Sequence, residues 1–297
     1  MMHSGVVTLV GRPNAGKSTL INRLVGRKIS ITSTSSQTTR SLIRGVVNDG
    51  AGKWQMVLVD TPGLHKPRAE LGNRLNRLVY GSLADADVIC FLVDATQPIG
   101  PGDRLIAERV GAAEKPVVLA VTKVDAAGPE KTGQQLATAS SWDFDAYVPL
   151  SAFSGRGIDD LVEELSSRLE EGPALFPPDM DTDQSEDFLI AELIREKFLD
   201  RLREELPHSL HVRLRDIEEE DEIVRIDADV LVERGSQKGI VIGKGGSMLE
   251  EAGSAARRDL ESLLATRVHL ALRVKVEADW QRRPASLDRL GYGIKNQ

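Results

Sequence analysis

The chain has 297 residues, of which 41% are hydrophobic and 28% charged, and its formal net charge is −7. This composition excludes a disordered chain, and because no apolar run approaches the roughly 18 residues that span a bilayer, it also excludes a membrane-spanning protein. The length predicts two domains, and a single cysteine with no room for a signal peptide before the first strand predicts a cytoplasmic protein without disulfides.

The first half of the chain alternates strand-like runs with helical patterns, which predicts an α/β domain with a mostly parallel sheet and helices on both faces. A helical pattern at residues 158–169 precedes a Pro-rich, acidic segment at residues 172–181 that breaks a helix. We therefore predict a first domain at residues 1–171 and a linker at residues 172–184. The strand-like runs are residues 6–10, 42–47, 54–59, 88–93, 117–121 and 147–150.

The string GRPNAGKS follows the first strand and precedes a helical pattern at residues 18–25. It matches the phosphate-binding pattern G-x-x-x-x-G-K-[ST], in which backbone N–H groups surround the phosphates. Lys17 then binds the outer phosphates and the Ser18 hydroxyl ligates Mg²⁺. Motif and context together favour this interpretation over an ordinary Gly-rich turn. The residues that we expect at the nucleotide are Gly11, Asn14, Ala15, Gly16, Lys17, Ser18 and Thr19.

The string DTPG ends the strand at residues 54–59 and includes Asp60 and Gly63. We expect Asp60 to hold Mg²⁺ through a water molecule. Glycine permits a close approach and a φ that other residues disfavour, so we expect the Gly63 N–H to contact a γ-phosphate. Alone, such a string is more often a plain turn.

A third motif, TKVD, follows the strand at residues 117–121 and specifies the base. The Asp125 carboxylate can accept hydrogen bonds from N1–H and the exocyclic amine of guanine, whereas adenine offers no such pair. The dipeptide SA after the last strand places a backbone N–H near the guanine carbonyl oxygen. The predicted guanine site therefore contains Thr122, Lys123, Asp125, Ser151 and Ala152.

In this order and spacing, GRPNAGKS, DTPG, TKVD and SA resemble the motifs of the translation-factor-related GTPases, which implies hydrolysis of GTP to GDP and phosphate. The run Gln37, Thr38, Thr39 and Arg40 resembles the first switch segment of the Era family within that class. The resemblance implies that Thr39 joins Ser18 and Asp60 around Mg²⁺ when a γ-phosphate is bound. A flexible Ser/Thr-rich loop at residues 30–40 is the simpler interpretation and is compatible with a switch.

Two positions depart from common GTPase patterns. The family more often has Asn at Thr122, so we expect a weaker tether between the loops there. Leu64 stands where many GTPases have a Gln that orients the attacking water. The chain therefore resembles GTPases with a hydrophobic residue at that position, in some of which a K⁺ ion, held partly by the residue equivalent to Asn14, supports the transition state. A hydrogen bond within the loop is the alternative role for Asn14.

The second half of the chain predicts a separate α+β domain at residues 185–297. Its pattern is a helix at residues 188–205, strands at 211–216 and 224–232, a Gly-rich turn, a helix at 247–264 and a strand at 267–276. The turn carries an apolar pair, G-x-x-G and a further apolar residue, which resembles the bacterial form of the KH fold. A helical hairpin with incidental glycines is the alternative. The residues that we expect at RNA are Ile240, Ile242, Gly243, Lys244, Gly245, Gly246, Arg257 and Arg258.

The charge distribution agrees with RNA binding at this turn. Residues 182–233 carry 17 acidic and 7 basic side chains, whereas residues 234–297 carry 7 acidic and 12 basic side chains, a net charge of +5. The average of −7 therefore hides a local basic surface on an acidic protein.

A GTPase domain followed by a KH domain resembles the Era family over nearly the whole chain. The resemblance implies a monomer that assists small ribosomal subunit assembly, binds the 3′ region of small-subunit ribosomal RNA and associates peripherally with the inner membrane. One alternative is a GTPase that assists RNA modification, but no further catalytic group is evident because Cys90 is expected to be buried. Another is an RNA-binding scaffold with a structural nucleotide, against which the intact Lys17, Ser18, Asp60 and Asp125 argue.

Overall fold

A computed structural model describes residues 2–33, 35, 38–64, 67, 69–202 and 206–293. The chain divides into two compact units. The first contains residues 1–30, 39–66 and 75–184, and the second contains residues 31–38, 67–74 and 185–297. Nothing in the sequence pattern indicates that the two short segments 31–38 and 67–74 join the second unit, because their assignment depends on contacts that are distant in sequence.

The first unit has a six-stranded sheet in the order β2-β3-β1-β4-β5-β6. Only β2 is antiparallel to its neighbour; the other four pairs are parallel. The strands are β1 His3–Gly11, β2 Ile43–Asn48, β3 Trp54–Asp60, β4 Val88–Asp94, β5 Val117–Thr122 and β6 Ala146–Pro149. The helices of this half of the chain are α1 Lys17–Val25, α2 Glu70–Ala84, α3 Pro101–Gly111, α4 Val124–Ala139 and α5 Ile158–Ser166.

Side chains on both faces of the central strand β4 are buried. Ile89, Phe91 and Val93 join an apolar cluster with residues of α2 and α3, and the intervening Cys90 and Leu92 are equally buried. Cover on both faces explains why this strand is an uninterrupted apolar run rather than an alternating one. Burial raises the pKa of the Cys90 thiol to about 12, so the expectation of a core cysteine is confirmed.

The Pro-rich segment after α5 follows the edge of the sheet. The side-chain carbonyl of Gln55 accepts hydrogen bonds from the backbone N–H of Leu175 at 2.7 Å and of Phe176 at 2.9 Å. Further along, the Val46 N–H of β2 donates to the Asp181 carbonyl at 2.8 Å. An edge strand exposes unpaired backbone groups, and this segment satisfies part of them.

The second unit packs helices against one face of a three-stranded sheet in the order β7-β8-β9. β7 and β8 are antiparallel, and β8 and β9 are parallel. The strands are β7 His211–Glu220, β8 Ile223–Val232 and β9 Arg267–Val276. The helices are α6 Glu186–Leu199, α7 Leu206–Ser209, α8 Gly235–Ile242, α9 Ser247–Leu264 and α10 Pro284–Leu287.

Two sequence expectations for this unit need correction. The helix predicted at residues 188–205 ends at Leu199. The turn before G-x-x-G contains the helix α8, which the sequence analysis missed because Gly235 and Gly239 lower its helix propensity. None of the helices that the structure describes combines the length and apolar character needed to span a bilayer.

Candidate nucleotide site and RNA-binding surface

The predicted phosphate-binding loop lies between β1 and α1. A side chain at Gly11 would place its Cβ 2.6 Å from the Leu92 carbonyl oxygen, so the loop can pack this closely only with glycine. Asn14 and Gly16 adopt left-handed conformations with φ of 64° and 97°. The Lys17 ammonium donates to the carbonyl oxygens of Gly11 at 3.2 Å and of Arg12 at 3.1 Å. The loop therefore curls around its lysine, as a phosphate cradle requires.

The three predicted Mg²⁺ ligands come together. The Ser18 hydroxyl lies 2.7 Å from Asp60 Oδ2 and 3.0 Å from the Thr39 hydroxyl, and Thr39 Oγ1 lies 3.4 Å from the same carboxylate oxygen. Ser30, which sequence reasoning missed, also donates to Asp60 Oδ2 at 2.9 Å. Oxygen donors of this kind suit Mg²⁺.

Asp60 is fully buried, and its Oδ1 atom has no hydrogen-bond partner within the described chain. Burial raises the pKa of the Asp60 carboxyl, although Lys17 and the hydroxyls of Ser18, Ser30 and Thr39 oppose this shift. Burial also lowers the pKa of Lys17. A buried carboxylate with an unpaired oxygen beside three hydroxyls fits a cation, and a bound cation favours the ionised carboxylate.

Gly63 is required for a reason other than the one expected. It is not among the glycines with positive φ. Instead, a Cβ at this position would lie 2.9 Å from the backbone nitrogen of Pro13 in the phosphate-binding loop. Contact between the Gly63 N–H and a γ-phosphate therefore stays a prediction, whereas the expectation of an unusual φ is wrong.

A cavity of about 220 Å³ lies beside this loop and combines residues from all the predicted base-recognition motifs. The Asp125 side chain is exposed at it, where a carboxylate can meet a base edge. Phe153, which sequence reasoning missed, also lines the cavity and is 87% exposed. The full lining is Gly16, Thr19, Thr122, Lys123, Asp125, Ala126, Ser151, Ala152 and Phe153.

Thr122 makes the tether that we expected to be weakened. Its hydroxyl donates to the Ala15 carbonyl at 2.7 Å and lies 3.2 Å from the Val93 carbonyl, so it ties β5 to the phosphate-binding loop without an Asn. Lys123 pairs with Asp94 at 2.6 Å. The Asp94 carboxyl is partly buried, which would raise its pKa, but hydrogen bonds from Lys123 and Thr96 outweigh burial and lower it.

Asn14 and Leu64 lie outside the base cavity. Asn14 lines a second cavity of about 320 Å³ together with Arg12, Asp94 and Asp103. Leu64 is partly buried and packs against the apolar cluster of the first unit. Leu64 thus has a packing role and offers no polar group to a water molecule.

The predicted switch segment is buried where the structure describes it. Thr38, Thr39 and Arg40 are all less than one tenth exposed. Gln37 lies outside the described residues. Within the described part of the segment, Thr39 lies next to Ser18 and Asp60.

The G-x-x-G turn of the second unit has left-handed φ angles of 77° at Gly243, 62° at Gly245 and 87° at Gly246. A Cβ at Gly243 would lie 2.7 Å from the Met248 backbone nitrogen, whereas a Cβ at Gly245 or Gly246 would meet only open space. Gly243 therefore serves the fold, and the other two leave a bare backbone. Lys244 is exposed. This surface fits a sugar-phosphate backbone.

A groove of about 380 Å³ begins at Gly246 and runs between α9 and β9. Of the predicted RNA-binding residues, Gly246 and Arg257 line this groove. Ile240 is exposed on α8, whereas Ile242 is partly buried and packs against the core of the unit. Arg258 is exposed on α9. The spacing of the groove residues on α9 repeats every three or four residues and is detectable in the sequence. The full lining is Gly246, Leu249, Glu250, Gly253, Ser254, Arg257, His269, Leu270 and Leu272.

Comparison with known protein families agrees with a predicted nucleotide site in the first unit and a predicted RNA-binding turn in the second. Residues 6–123 match the family described as 50S ribosome-binding GTPase, and residues 205–281 match the family described as KH domain. The two matches cover the phosphate-binding loop and the G-x-x-G turn respectively.

Full-length relatives are similar to the whole chain. GTPase Era of Mycobacterium bovis (strain BCG / Pasteur 1173P2) is 50% identical over 298 residues, covering 98% of this chain and 99% of that protein. GTPase Era of Mycobacterium avium (strain 104) is 49% identical over 296 residues, covering 97% and 98%.

Two solved structures have the same architecture. A crystal structure of Era in complex with MgGDPNP and nucleotides 1506–1542 of 16S ribosomal RNA has a TM-score of 0.94 at 39% identity and covers 99% of this chain and 100% of that one. A variant of Aquifex aeolicus Era bound to GDP and AlF₄⁻ has a TM-score of 0.94 at 38% identity with the same coverage. Half of the residues are shared with the mycobacterial relatives along almost the entire length, and the chain therefore belongs to the Era family of GTPases.

Proposed function

We propose that this protein is a GTP-hydrolysing switch that binds small-subunit ribosomal RNA through its second domain and assists small ribosomal subunit assembly. The observation that carries the proposal is the base cavity with Asp125, which adjoins a phosphate-binding loop and a cluster of Mg²⁺-type ligands. The related Era structure with MgGDPNP and a 16S ribosomal RNA segment supports both ligands for this chain.

The first unit supplies binding and orientation. Asp125 accepts hydrogen bonds from the N–H groups of guanine, and the backbone of Ser151 and Ala152 places an N–H group near the guanine carbonyl oxygen. The Lys17 ammonium and the loop N–H groups hold the phosphates. Ser18, Asp60 and Thr39 would hold Mg²⁺, which neutralises charge on the β- and γ-phosphates when it is bound.

Hydrolysis by the isolated protein is expected to be slow, because Leu64 cannot orient a water molecule. We expect an intrinsic rate on the order of 10⁻⁴ to 10⁻² s⁻¹. We further propose that Asn14 takes part in holding a K⁺ ion that supports the transition state. Replacing K⁺ by Na⁺ should then slow the wild type much more than Asn14→Ala, and equal rates of the wild type in the two salts would contradict the K⁺ proposal.

The second unit supplies the RNA site. The sugar-phosphate backbone of an unpaired strand lies on residues 243–246 next to the Lys244 ammonium, and about four nucleotides fit such a turn. Leu249 and Leu272 on the groove walls offer apolar surface to bases, and Arg257 offers a guanidinium.

The proposal includes a GTP-binding domain at residues 1–171, a linker at residues 172–184 and a KH domain at residues 185–297. The family resemblance further supports a monomer in the cytoplasm and the 3′ region of the ribosomal RNA as the bound segment. Peripheral contact with the inner membrane rests on that resemblance alone.

The test is GTP turnover with and without small ribosomal subunits, measured as phosphate release. We expect acceleration by the subunits and by an RNA strand from the 3′ region of their RNA. Turnover that changes with neither the subunits nor the RNA strand would favour a scaffold with a structural nucleotide. Turnover accelerated by transfer RNA instead would favour a GTPase that assists RNA modification.

A further inference from the structure

Helix α6 buries two charged side chains that neither proposed binding site uses. Arg195 is 0% exposed and Glu196 is 2% exposed. Charged side chains are rarely buried to this degree unless partners hold them. Arg195 pairs with Glu192 through hydrogen bonds of 2.7 Å and 2.6 Å, and its Nη1 atom has no partner among the described residues. Nη2 carries two hydrogens, so its bond to Glu192 leaves one of them for another role.

The second acceptor of Nη2 belongs to the segment 31–38, which is part of the same compact unit as α6. Arg195 Nη2 donates to the Thr38 carbonyl oxygen at the end of the segment. Glu196 Oε1 accepts from the Thr32 backbone N–H at 2.8 Å at its beginning. Backbone groups at both ends are therefore held by adjacent residues of one helix.

Two further contacts fix the segment. Ile31 is 1% exposed and belongs to the apolar core formed by α6, α9 and the sheet of the second unit. The Ser35 hydroxyl donates to the Leu199 carbonyl at 3.3 Å. Apolar burial and polar contacts together attach the described residues 31, 32, 35 and 38 to the KH unit.

The residue that follows the segment is Thr39, which lies 3.0 Å from the Ser18 hydroxyl in the cluster proposed to bind Mg²⁺. A planar peptide fixes consecutive Cα atoms about 3.8 Å apart. Holding the Thr38 carbonyl therefore limits where the Thr39 side chain can lie.

We propose that Arg195 and Glu196 are positioning residues that hold Thr38 and Thr32 so that Thr39 is already placed for the Mg²⁺ of bound GTP. The inference rests on the proposed function. A placed ligand reduces the ordering cost of binding. GDP lacks the γ-phosphate that engages such a switch threonine, so the placement of Thr39 does not strengthen GDP binding. The KH unit thereby raises the preference of the other unit for GTP over GDP.

The test measures the dissociation constants of a non-hydrolysable GTP analogue and of GDP in Mg²⁺ for Arg195→Met and Ile31→Ala. Each variant should weaken the GTP analogue about tenfold, the size expected for lost hydrogen bonds to a charged group or lost apolar anchoring, and leave GDP within about twofold. The Mg²⁺ concentration for half-maximal binding of the analogue should rise in parallel. Glu196→Gln retains an acceptor for the Thr32 N–H and should change the preference by less than about threefold.

Arg213→Met is the matched control, because Arg213 pairs with the buried carboxylate of Asp229 in the same unit at 2.8 Å and forms no hydrogen bond or ion pair with the described residues of the segment. It should lower thermal stability and leave both dissociation constants unchanged. An unchanged preference in Arg195→Met and Ile31→Ala would overturn the proposal. Equal weakening of both nucleotides would also overturn it, since it indicates a general structural role. If Arg195→Met does not fold, Ile31→Ala and Ser35→Ala decide the question. Failure of the wild type to bind either nucleotide would overturn the proposed function itself.

Discussion

The nucleotide site and the RNA surface are built on opposite principles. At the first, buried polar side chains already bond one another: Asp60 accepts from Ser18 and Ser30, and Lys17 donates to the loop that surrounds it. At the second, Gly245 and Gly246 present bare backbone with open space around them. Recognition in the first unit therefore depends on side chains that are present, and in the second on side chains that are absent. Removing a group should damage one site, and adding a group should damage the other.

Asp125→Asn changes one side-chain atom in the first unit and should have the largest effect. The amide cannot accept from both guanine N–H groups but can donate to the additional carbonyl of xanthine. The loss of two hydrogen bonds to a charged group predicts that the preference between GTP and XTP shifts by about a thousandfold toward XTP. Competition binding with the two nucleotides measures the shift, and an unchanged GTP affinity would remove Asp125 from the base site.

Lys244→Asp combined with Gly245→Asp adds two side chains to the bare backbone. We expect binding of a single-stranded RNA to weaken by about a hundredfold or more, because two anionic groups replace a phosphate contact. GTP binding should persist, because the nucleotide site uses residues of the first unit. Fluorescence anisotropy of labelled RNA and nucleotide binding on the same preparation provide the measurement.

The chain offers a matched control for this variant. Lys238 and Gly239 repeat the same dipeptide on α8, both are exposed, and a Cβ at Gly239 would meet nothing within 4 Å. Lys238→Asp with Gly239→Asp makes an identical change in charge and should weaken RNA binding far less. Equal weakening by the two variants, or competition by duplex DNA as good as that of single-stranded RNA, would mean that the basic surface binds without using the turn.

Removing the hydrogen bond between Thr122 and the phosphate-binding loop should have the smallest effect. Thr122→Val removes the hydroxyl that bonds the Ala15 carbonyl and should cost about 1–3 kcal/mol of the free energy of unfolding, since it leaves a buried acceptor unpaired. Thr122→Asn, the residue more frequent in the family, should cost less than Thr122→Val. Chemical denaturation of the three proteins measures the difference, and equal stability of Thr122→Val and the wild type would show that the tether is energetically neutral.

The same contrast explains what the sequence could predict. The motif residues that gather at the base cavity, such as Thr19, Asp125 and Ser151, each have a fixed offset from a strand end, so chain order was sufficient to find them. Ser30 and Phe153 carry no comparable signal, because only folding brings Ser30 to Asp60 and places Phe153 at the cavity.

The second unit was less predictable for a related reason. Its glycine turn and long helix α9 follow local patterns, whereas α8 has weak local preference and is stabilised by its neighbours. The attachment of residues 31–38 to Arg195 and Glu196 joins positions about 160 residues apart, and no pattern along the chain reports it.

The proposed switch requires that the nucleotide bound at one site sets RNA binding at the other. It is tested most directly by the affinity for a single-stranded RNA from the 3′ region of small-subunit ribosomal RNA, measured with the protein loaded with a non-hydrolysable GTP analogue and with GDP. We expect the GTP analogue to give at least about fivefold tighter RNA binding, and by linkage the RNA to tighten the analogue by the same factor relative to GDP. RNA affinities that agree within error in the two nucleotide states would contradict the account.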